Sequence, residues 1–349
     1  MKRRNTKEIK IGNIYIGGEN KIAIQSMLNI PSFDIDKNIC QAKELEKAGC
    51  DIVRVAVPDE EALNIILKLK KEINMPVVAD IHFDYRLAIK SAELGADKIR
   101  INPGNIGDDD KVKQVVDVCK KKNIPIRIGV NSGSIEKNIL NKYKKACPEA
   151  MVESAMFHVK LLEKYDFDNI VLSLKCSNVI DTVKSYKIIS EKVKYPLHLG
   201  VTESGTLKSG IIKSSIGIGS LLLDGIGDTI RVSLTSVPVD EIKVAKQILK
   251  NTGHLKEGVD IISCPTCGRT RIDVIKIASR VEELVKDIDK DIKVAIMGCV
   301  VNGPGEAKDA DIGVAGGNGC GVIFKKGKIV KKIDEEDIEK ELIEAIKSL

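Results

Sequence analysis

The sequence predicts a (β/α)8 TIM barrel followed by a small α/β domain, and three observations carry that expectation. From residue 21 to about 250 one pattern recurs eight times, a short apolar run rich in Val and Ile followed by an amphipathic stretch with polar punctuation. Eight parallel units joined by right-handed crossovers close into a barrel. After about residue 252 the rhythm changes to short strands, giving expected domains at 1–252 and 253–349 with a linker at 251–258. The runner-up is a doubly wound open sheet, and the absence of a G-x-G-x-x-G after the first strand weighs against it.

In chain order the strand-like runs are 21–27, 51–57, 76–82, 98–103, 124–131, 169–175, 196–203 and 229–235. Buried parallel strands need such Val- and Ile-rich runs. Between them apolar residues return every three or four positions, as in Ile35, Ile39, Ala42 and Leu45, or Val112, Val115, Val116 and Cys119. Asp59 can cap the helix after Pro58, and Gly49 and Gly95 sit where helices should end. In the second domain strands are expected at 259–263, 293–297, 311–315 and 321–325, with a helix from 273 to about 288. A Lys-Gly turn near Gly327 and a closing helix from Glu335 complete it.

Composition narrows the function classes. The chain has 349 residues, 43% hydrophobic and 30% charged, which describes a folded globular protein. No apolar run approaches the roughly 20 residues that span a bilayer, and residues 1–10 are basic without the apolar core of a secretory signal. The expectation is a cytoplasmic protein with no membrane partner. The net charge of +6 comes from lysines scattered along helical segments, aromatics are 3% and Trp is absent. Base stacking therefore has little to work with, and no nucleic-acid partner is expected. The nine cysteines belong to a reducing compartment rather than a disulfide framework. Cys40, Cys50, Cys119 and Cys176 read as packed thiols.

Polar residues gather at the C-terminal ends of the barrel runs, where the loops of such a fold build active sites. They are Gln25; Arg54; Asp80 and His82; Arg100 and Asn102; Arg127 and Asn131; Ser173 and Lys175; His198 and Glu203; Arg231 and Ser233. Arg54, Arg100, Arg127, Lys175 and Arg231 are cations, and crowding them together is costly without a polyanion. A diphosphate fits, because guanidinium groups bind phosphoryl oxygens in pairs. Any single arginine here would more often serve a structural ion pair; five on five strand ends argue otherwise. His82 and His198 are as ready to orient a neighbour as to touch a ligand. Glu203, in H-L-G-V-T-E-S-G, is a carboxylate among cations and a candidate general acid or base.

Cys264-Pro-Thr-Cys267-Gly-Arg opens the second domain, and Cys299 follows a strand-like run in M-G-C-V-V-N-G-P-G-E. A lone C-x-x-C is shared by zinc ribbons, redox dithiols and iron-sulfur proteins. Structural zinc usually takes four Cys or His ligands, and no second C-x-x-C is present. Three cysteines without a fourth suit a cluster with one open iron, for which Glu306 is a candidate ligand. Cys320 is a possible fourth ligand and Cys147 reads as a non-ligand. Zinc and redox thiols stay open on spacing alone.

Together these residues resemble the family of iron-sulfur 4-hydroxy-3-methylbut-2-enyl diphosphate synthases of non-mevalonate isoprenoid biosynthesis. The resemblance rests on S-C-P-T-C-G-R at 263–269, V-N-G-P-G-E-A at 301–307, H-L-G-V-T-E at 198–203, G-I-G-D-T-I-R-V-S-L at 225–234 and R-I-N-P-G-N at 100–105. It implies reductive ring opening of 2-C-methyl-D-erythritol 2,4-cyclodiphosphate, with loss of water, to the linear hydroxybutenyl diphosphate. Two electrons would arrive singly from ferredoxin or flavodoxin through a 4Fe-4S cluster. It further implies that Cys264, Cys267, Cys299 and Glu306 hold the cluster, Glu306 yielding to a substrate oxygen in turnover. Glu203 would be the acid/base carboxylate, and Arg54, Arg100, Arg127, Lys175 and Arg231 would hold the diphosphate. Asp80, Asn102, Asn131 and Ser233 would be supporting contacts, with His82, Ser173 and His198 among the substrate-binding residues. A homodimer in which one subunit's cluster domain serves its partner's barrel is implied as well. T-E-S-G-T at 202–206 departs slightly from the family's T-E-A-G, and Cys320 has no family role. Two other classes fit the residues less well: a pterin- or phosphate-binding barrel transferase with a structural zinc tail, and a zinc-bearing RNA-binding module.

Overall fold

The computed structural model describes residues 2–286, 288, 290–300, 305 and 307–349, which divide into two units, Met1–His254 and Leu255–Leu349. In the first unit β1 (Ile9–Ile11) and β2 (Ile14–Ile16) form an antiparallel hairpin. Eight strands follow: β3 (Ala23–Met27), β4 (Ile52–Ala56), β5 (Val77–Asp80), β6 (Lys98–Ile101), β7 (Ile126–Asn131), β8 (Ile170–Lys175), β9 (His198–Leu199) and β10 (Thr229–Ile230). All their pairings are parallel, in the order β8-β7-β6-β5-β4-β3-β10-β9. A parallel bridge between Leu172 and Leu197 joins β8 to the residue before β9 and closes the ring. Each expected run holds a strand. The runs 196–203 and 229–235 keep only two regular residues each, because beyond them the chain leaves the ladder for loops that bond to one another.

Local chemistry explains the punctuation. Asp34, Asp84, Asp108 and Asn178 cap helices, each accepting a backbone N–H of the first turn. Gly49 ends the helix Ile35–Ala48 at φ 92°, and Gly95 sits at φ 98°. Asp59 accepts from the Ala62 N–H at 2.9 Å, so it secures the turn ahead of the helix Leu63–Glu72 rather than the helix itself. Cys50, Cys119 and Cys176 are buried as expected, whereas Cys40 is exposed. The inward face of its helix is set by Asn38, Ala42 and Leu45, which turns position 40 to the surface.

The pleat divides the barrel interior into layers. Ala23, Ile52, Val78 and Val171 form one apolar cluster with Ile9, Ile11 and Ile16 of the hairpin. Two residues further along the same strands, and so on the same face, stand Gln25, Arg54, Asp80 and Ser173. The barrel is thus mainly apolar towards its N-terminal end, where the hairpin plugs it and Lys98 and His198 are the buried polar exceptions, and densely charged towards its C-terminal end. Burying each of those hairpin isoleucines contributes about 2 kcal/mol. The hairpin escapes sequence reading because strands of three residues are too short to show a period.

In the second unit β11 (Val259–Ser263), β12 (Ile292–Met297) and β13 (Ile312–Gly317) run parallel, while β14 (Cys320–Lys325) and β15 (Lys328–Asp334) add antiparallel. The helices Val274–Val285 and Ile338–Lys347 cover the sheet through Ile277, Val281, Leu342 and Ile346. The unexpected strand is β15. Its K-I-V-K-K-I-D is exposed at six of seven positions, as lysine-protected edge strands are, so it lacks the apolar signature of a strand. The turn before it has positive φ at both Lys326 and Gly327, the geometry that suits a tight hairpin. The closing helix begins at Ile338, after a short 3-10 turn over Glu335–Asp337.

Candidate active site

At the C-terminal mouth of the barrel a cavity of about 170 Å³ is lined by ten of the expected residues: Arg54, Asp80, His82, Arg100, Arg127, Asn131, Ser173, Lys175, Arg231 and Ser233. Met27 and Thr202 complete the lining. Asp80 lies among the cations. Its carboxylate is 3.2 Å from Arg100 Nη1, 3.6 Å from Arg54 Nε and 3.7 Å from His82 Nε2. Burial alone would raise its pKa, but Arg54, Arg100, His82 and Arg127 more than offset that and bring it down to about 2. Arg127, 1% exposed, donates from Nη1 to Gln25 Oε1 at 3.2 Å.

One carboxylate does not balance this charge. Burial first, then Arg231 and Arg100, brings the Arg54 pKa down to about 10 against the pull of Asp80. Burial and the neighbouring arginines also press Lys175 well below the ordinary lysine range. Arg231 has Glu241 for company, its Nε 3.7 Å from Oε2. Glu241 also accepts from Ser26 Oγ and the Leu234 N–H, both at 3.0 Å. It arrives from the helix Pro238–Asn251, where nothing in the sequence separates it from a surface glutamate.

Two inward glycines make room for the cations. A Cβ on Gly129 would sit 2.6 Å from Arg100 Nε, and one on Gly200 would sit 2.8 Å from Lys175 Nζ. Gly129→Ala should therefore push the Arg100 guanidinium aside and weaken anion binding about tenfold, about 1.4 kcal/mol, with little change in folding. Titration with pyrophosphate beside a thermal melt checks this.

Asp80 supports a second expectation. Its folded pKa is depressed, so its stabilising effect is present above its unfolded value of about 3.9 and is lost as pH falls through about 2. Asp80→Asn should remove that acid-range dependence and cost about 3 kcal/mol at neutral pH, because Arg54 and Arg100 lose their counter-ion. Added pyrophosphate should restore much of the loss, about 2.7 kcal/mol at a hundred times its Kd. Denaturant melts at several pH values read all three effects.

Of the four expected residues outside the cavity lining, Gln25 accepts from Arg127, and the other three have distinct places. Asn102 is 2% exposed, and its Oδ1 caps the turn Pro103–Ile106 by accepting from the Gly104 N–H at 3.2 Å. His198 is fully buried with Nδ1 2.7 Å from Thr229 Oγ1, below the cavity rather than in it. Glu203 is exposed on the loop after β9, next to the lining residue Thr202. It holds φ at 52°, a left-handed conformation that costs a non-glycine residue about 1 kcal/mol or more. Its neighbours enforce it. The Thr202 N–H donates to Cys176 O, Ser204 Oγ donates to Ser233 O, and the Thr235 N–H donates to Gly205 O. The serine of T-E-S-G thus makes a bond that alanine could not. Strain so over-determined is typical of functional positions.

In the second unit β11 and β12 are adjacent and parallel, so the loops carrying Cys264, Cys267 and Cys299 leave the same edge. Cys264 Sγ accepts from the Gly298 N–H at 3.1 Å, and the Arg271 N–H donates to Gly298 O at 2.8 Å. The Arg269 backbone N–H, with the Arg269 side chain and Thr270, lowers the Cys267 pKa. Thiols that receive N–H donors suit a thiolate-bound metal centre. Among the described residues, no three His, Cys, Asp or Glu side chains are gathered tightly enough to hold a metal ion. Glu306 lies outside the described residues. Cys320 opens β14 opposite Gly317, and Cys147 lies in the other unit, before the helix Pro148–Lys164.

Residues 6–246 match the family model for the GcpE TIM-barrel domain, and residues 260–348 match that for the GcpE protein C-terminal domain. A relative from Clostridium perfringens (strain 13 / Type A), named 4-hydroxy-3-methylbut-2-en-1-yl diphosphate synthase (flavodoxin), is 60% identical over the full length of both chains. Another of the same name, from Caldanaerobacter subterraneus subsp. tengcongensis, is 63% identical over 99% of this chain and 98% of its own. Among solved structures, dihydropteroate synthases from Stenotrophomonas maltophilia and Yersinia pestis align with TM-scores of 0.51 and 0.50, both at 12% identity. They cover 70% and 71% of this chain and 98% and 99% of theirs, a likeness that speaks for the barrel fold alone. With both domain models matched in order and such relatives aligned end to end, the chain belongs to the GcpE family.

Proposed function

We propose that the protein is an oxidoreductase that opens the ring of 2-C-methyl-D-erythritol 2,4-cyclodiphosphate and dehydrates it to (E)-4-hydroxy-3-methylbut-2-enyl diphosphate. The observation that carries this reading is the cavity in which Arg54, Arg100, Arg127, Lys175 and Arg231 outnumber two buried carboxylates, Asp80 in the lining and Glu241 beside Arg231. That excess of buried positive charge is costly without a polyanion in place.

Ring opening breaks a carbon-oxygen bond and leaves a diphosphate monoester, whose charge rises as the bond parts. Fixed guanidinium groups stabilise charge that develops there more than charge already present, which favours the reaction itself. Asp80 orients Arg54 and Arg100; Asn131, Ser173, Ser233 and His82 complete the wall, with Asn102 and His198 supporting it from behind. Glu203 delivers the proton to the oxygen that leaves as water. A 4Fe-4S cluster held by Cys264, Cys267, Cys299 and Glu306 would supply the electrons one at a time. Flavodoxin, which the relatives' names carry, is the preferred electron donor and ferredoxin the alternative. The reading includes a homodimer and a cytoplasmic setting, for which the unpaired state of all nine cysteines is favourable. No helix among the described residues is long and apolar enough to cross a membrane.

Anaerobic purification followed by iron and sulfide analysis, absorption near about 400 nm and turnover with reduced flavodoxin tests the reading. Colourless protein with stoichiometric zinc would overturn it.

A further inference from the structure

Lys98 is a buried cation with no part in the chemistry above. It stands on β6 two residues before Arg100, on the same inward face, paired in register with Val78 of the apolar layer. It is 0% exposed, does not line the cavity, and its Nζ has no hydrogen-bond partner. The charged groups it faces are Arg127 from β7 and Arg54 from β4, while His198 from β9 feels it in turn. None of these is an anion. Asp80, on the neighbouring β5, is already shared among Arg54, Arg100 and His82.

An ammonium in that place has neither water nor a counter-ion. Burial first, then Arg127 and Arg54, holds its pKa well below the ordinary lysine range. A neutral amine suits the surroundings better, since it can also accept a hydrogen bond. Gln25 Nε2 and Arg127 Nε are buried donors without partners in the same interior.

The balance shifts once a polyanion enters the cavity, because its charge offsets the repulsion that Arg54 and Arg127 exert on an ammonium below them. We propose that Lys98 is a positioning residue that takes up a proton when a diphosphate binds, placing a cation under the ligand only while the ligand is present. This rests on the reading of the cavity as a diphosphate site. The consequence is that affinity rises as pH falls through the window between the empty-site and occupied-site pKa values of Lys98.

Calorimetric titration of the holoenzyme with inorganic pyrophosphate, in buffers of equal pH and different ionisation enthalpy, counts the protons exchanged. The ligand's own ionisation is common to every variant, so the difference between wild type and Lys98→Met belongs to the protein. The expected result is about one more proton taken up by wild type per pocket, with binding to Lys98→Met about tenfold weaker near neutral pH. Lys98→Gln serves the same comparison if the methionine variant does not fold. Because burial and the arginines press Lys175 down as well, the comparison is repeated in a Lys175→Met background, where adding Lys98→Met should still remove about one proton. Equal proton counts in wild type and a folded Lys98 variant, or in Lys175→Met with and without Lys98→Met, overturn the proposal while leaving the diphosphate site standing. Failure of pyrophosphate to bind wild type overturns both.

Discussion

Cys299→Ser is expected to yield a protein with its iron and its near-400 nm absorption largely gone and turnover reduced by at least about a thousandfold, a barrier of about 4 kcal/mol. The argument is one of ligand chemistry. A thiolate is available near neutral pH and binds iron strongly, whereas a serine hydroxyl stays protonated and hard. The loop of Cys299 is tied to that of Cys264 through the Gly298 N–H, so losing one ligand also loosens the seat of another. Metal binding contributes to folding, and the melting transition of Leu255–Leu349 should fall as well. Pyrophosphate affinity should hold, because the cavity is built from the other unit. Full iron in the variant would reassign the ligand, with Cys320 the first thiol to examine.

The barrel was legible because its signal is long. Eight apolar runs separated by amphipathic helices make a pattern that survives blurred ends, and every expected run contains a strand. The cations were legible for the same reason, since residues two apart share a face and strand ends share a mouth. What escaped depends on contacts between distant positions. Glu241 meets Arg231 from a helix at the surface, and Gly129 matters only because Arg100 lies across it. Lys98 carries the same residue type as the many surface lysines around it. Its spacing from Arg100 points it inward beside Val78, but no local pattern announces that it has no counter-ion there. The exposure of Cys40 was missed for a related reason, because the inward face of that helix is claimed by Asn38, whose side chain bonds to Pro31 O and Asp34 O.

Glu203→Gln should leave iron content and pyrophosphate affinity near those of wild type and reduce turnover about a hundred- to ten-thousandfold. Glutamine preserves shape and can hold the loop, whose bonds run through Thr202, Ser204, Gly205 and Thr235 rather than through the Glu203 side chain. It cannot pass a proton to a departing oxygen. The backbone strain at φ 52° separates this role from a structural one: Glu203→Gly should relax the strain and raise the melting temperature, yet be as inactive as the glutamine variant. Turnover retained in either would remove Glu203 from the chemistry. Mixing the two lesions addresses the proposed dimer. If one chain's cysteine domain serves its partner's barrel, then Glu203→Gln and Cys299→Ser chains, each inactive alone, should recover part of the activity when co-assembled. One intact carboxylate and one intact set of cysteines then meet in every mixed pair. If each chain serves its own barrel, no mixed pair contains a complete site and the activity stays lost.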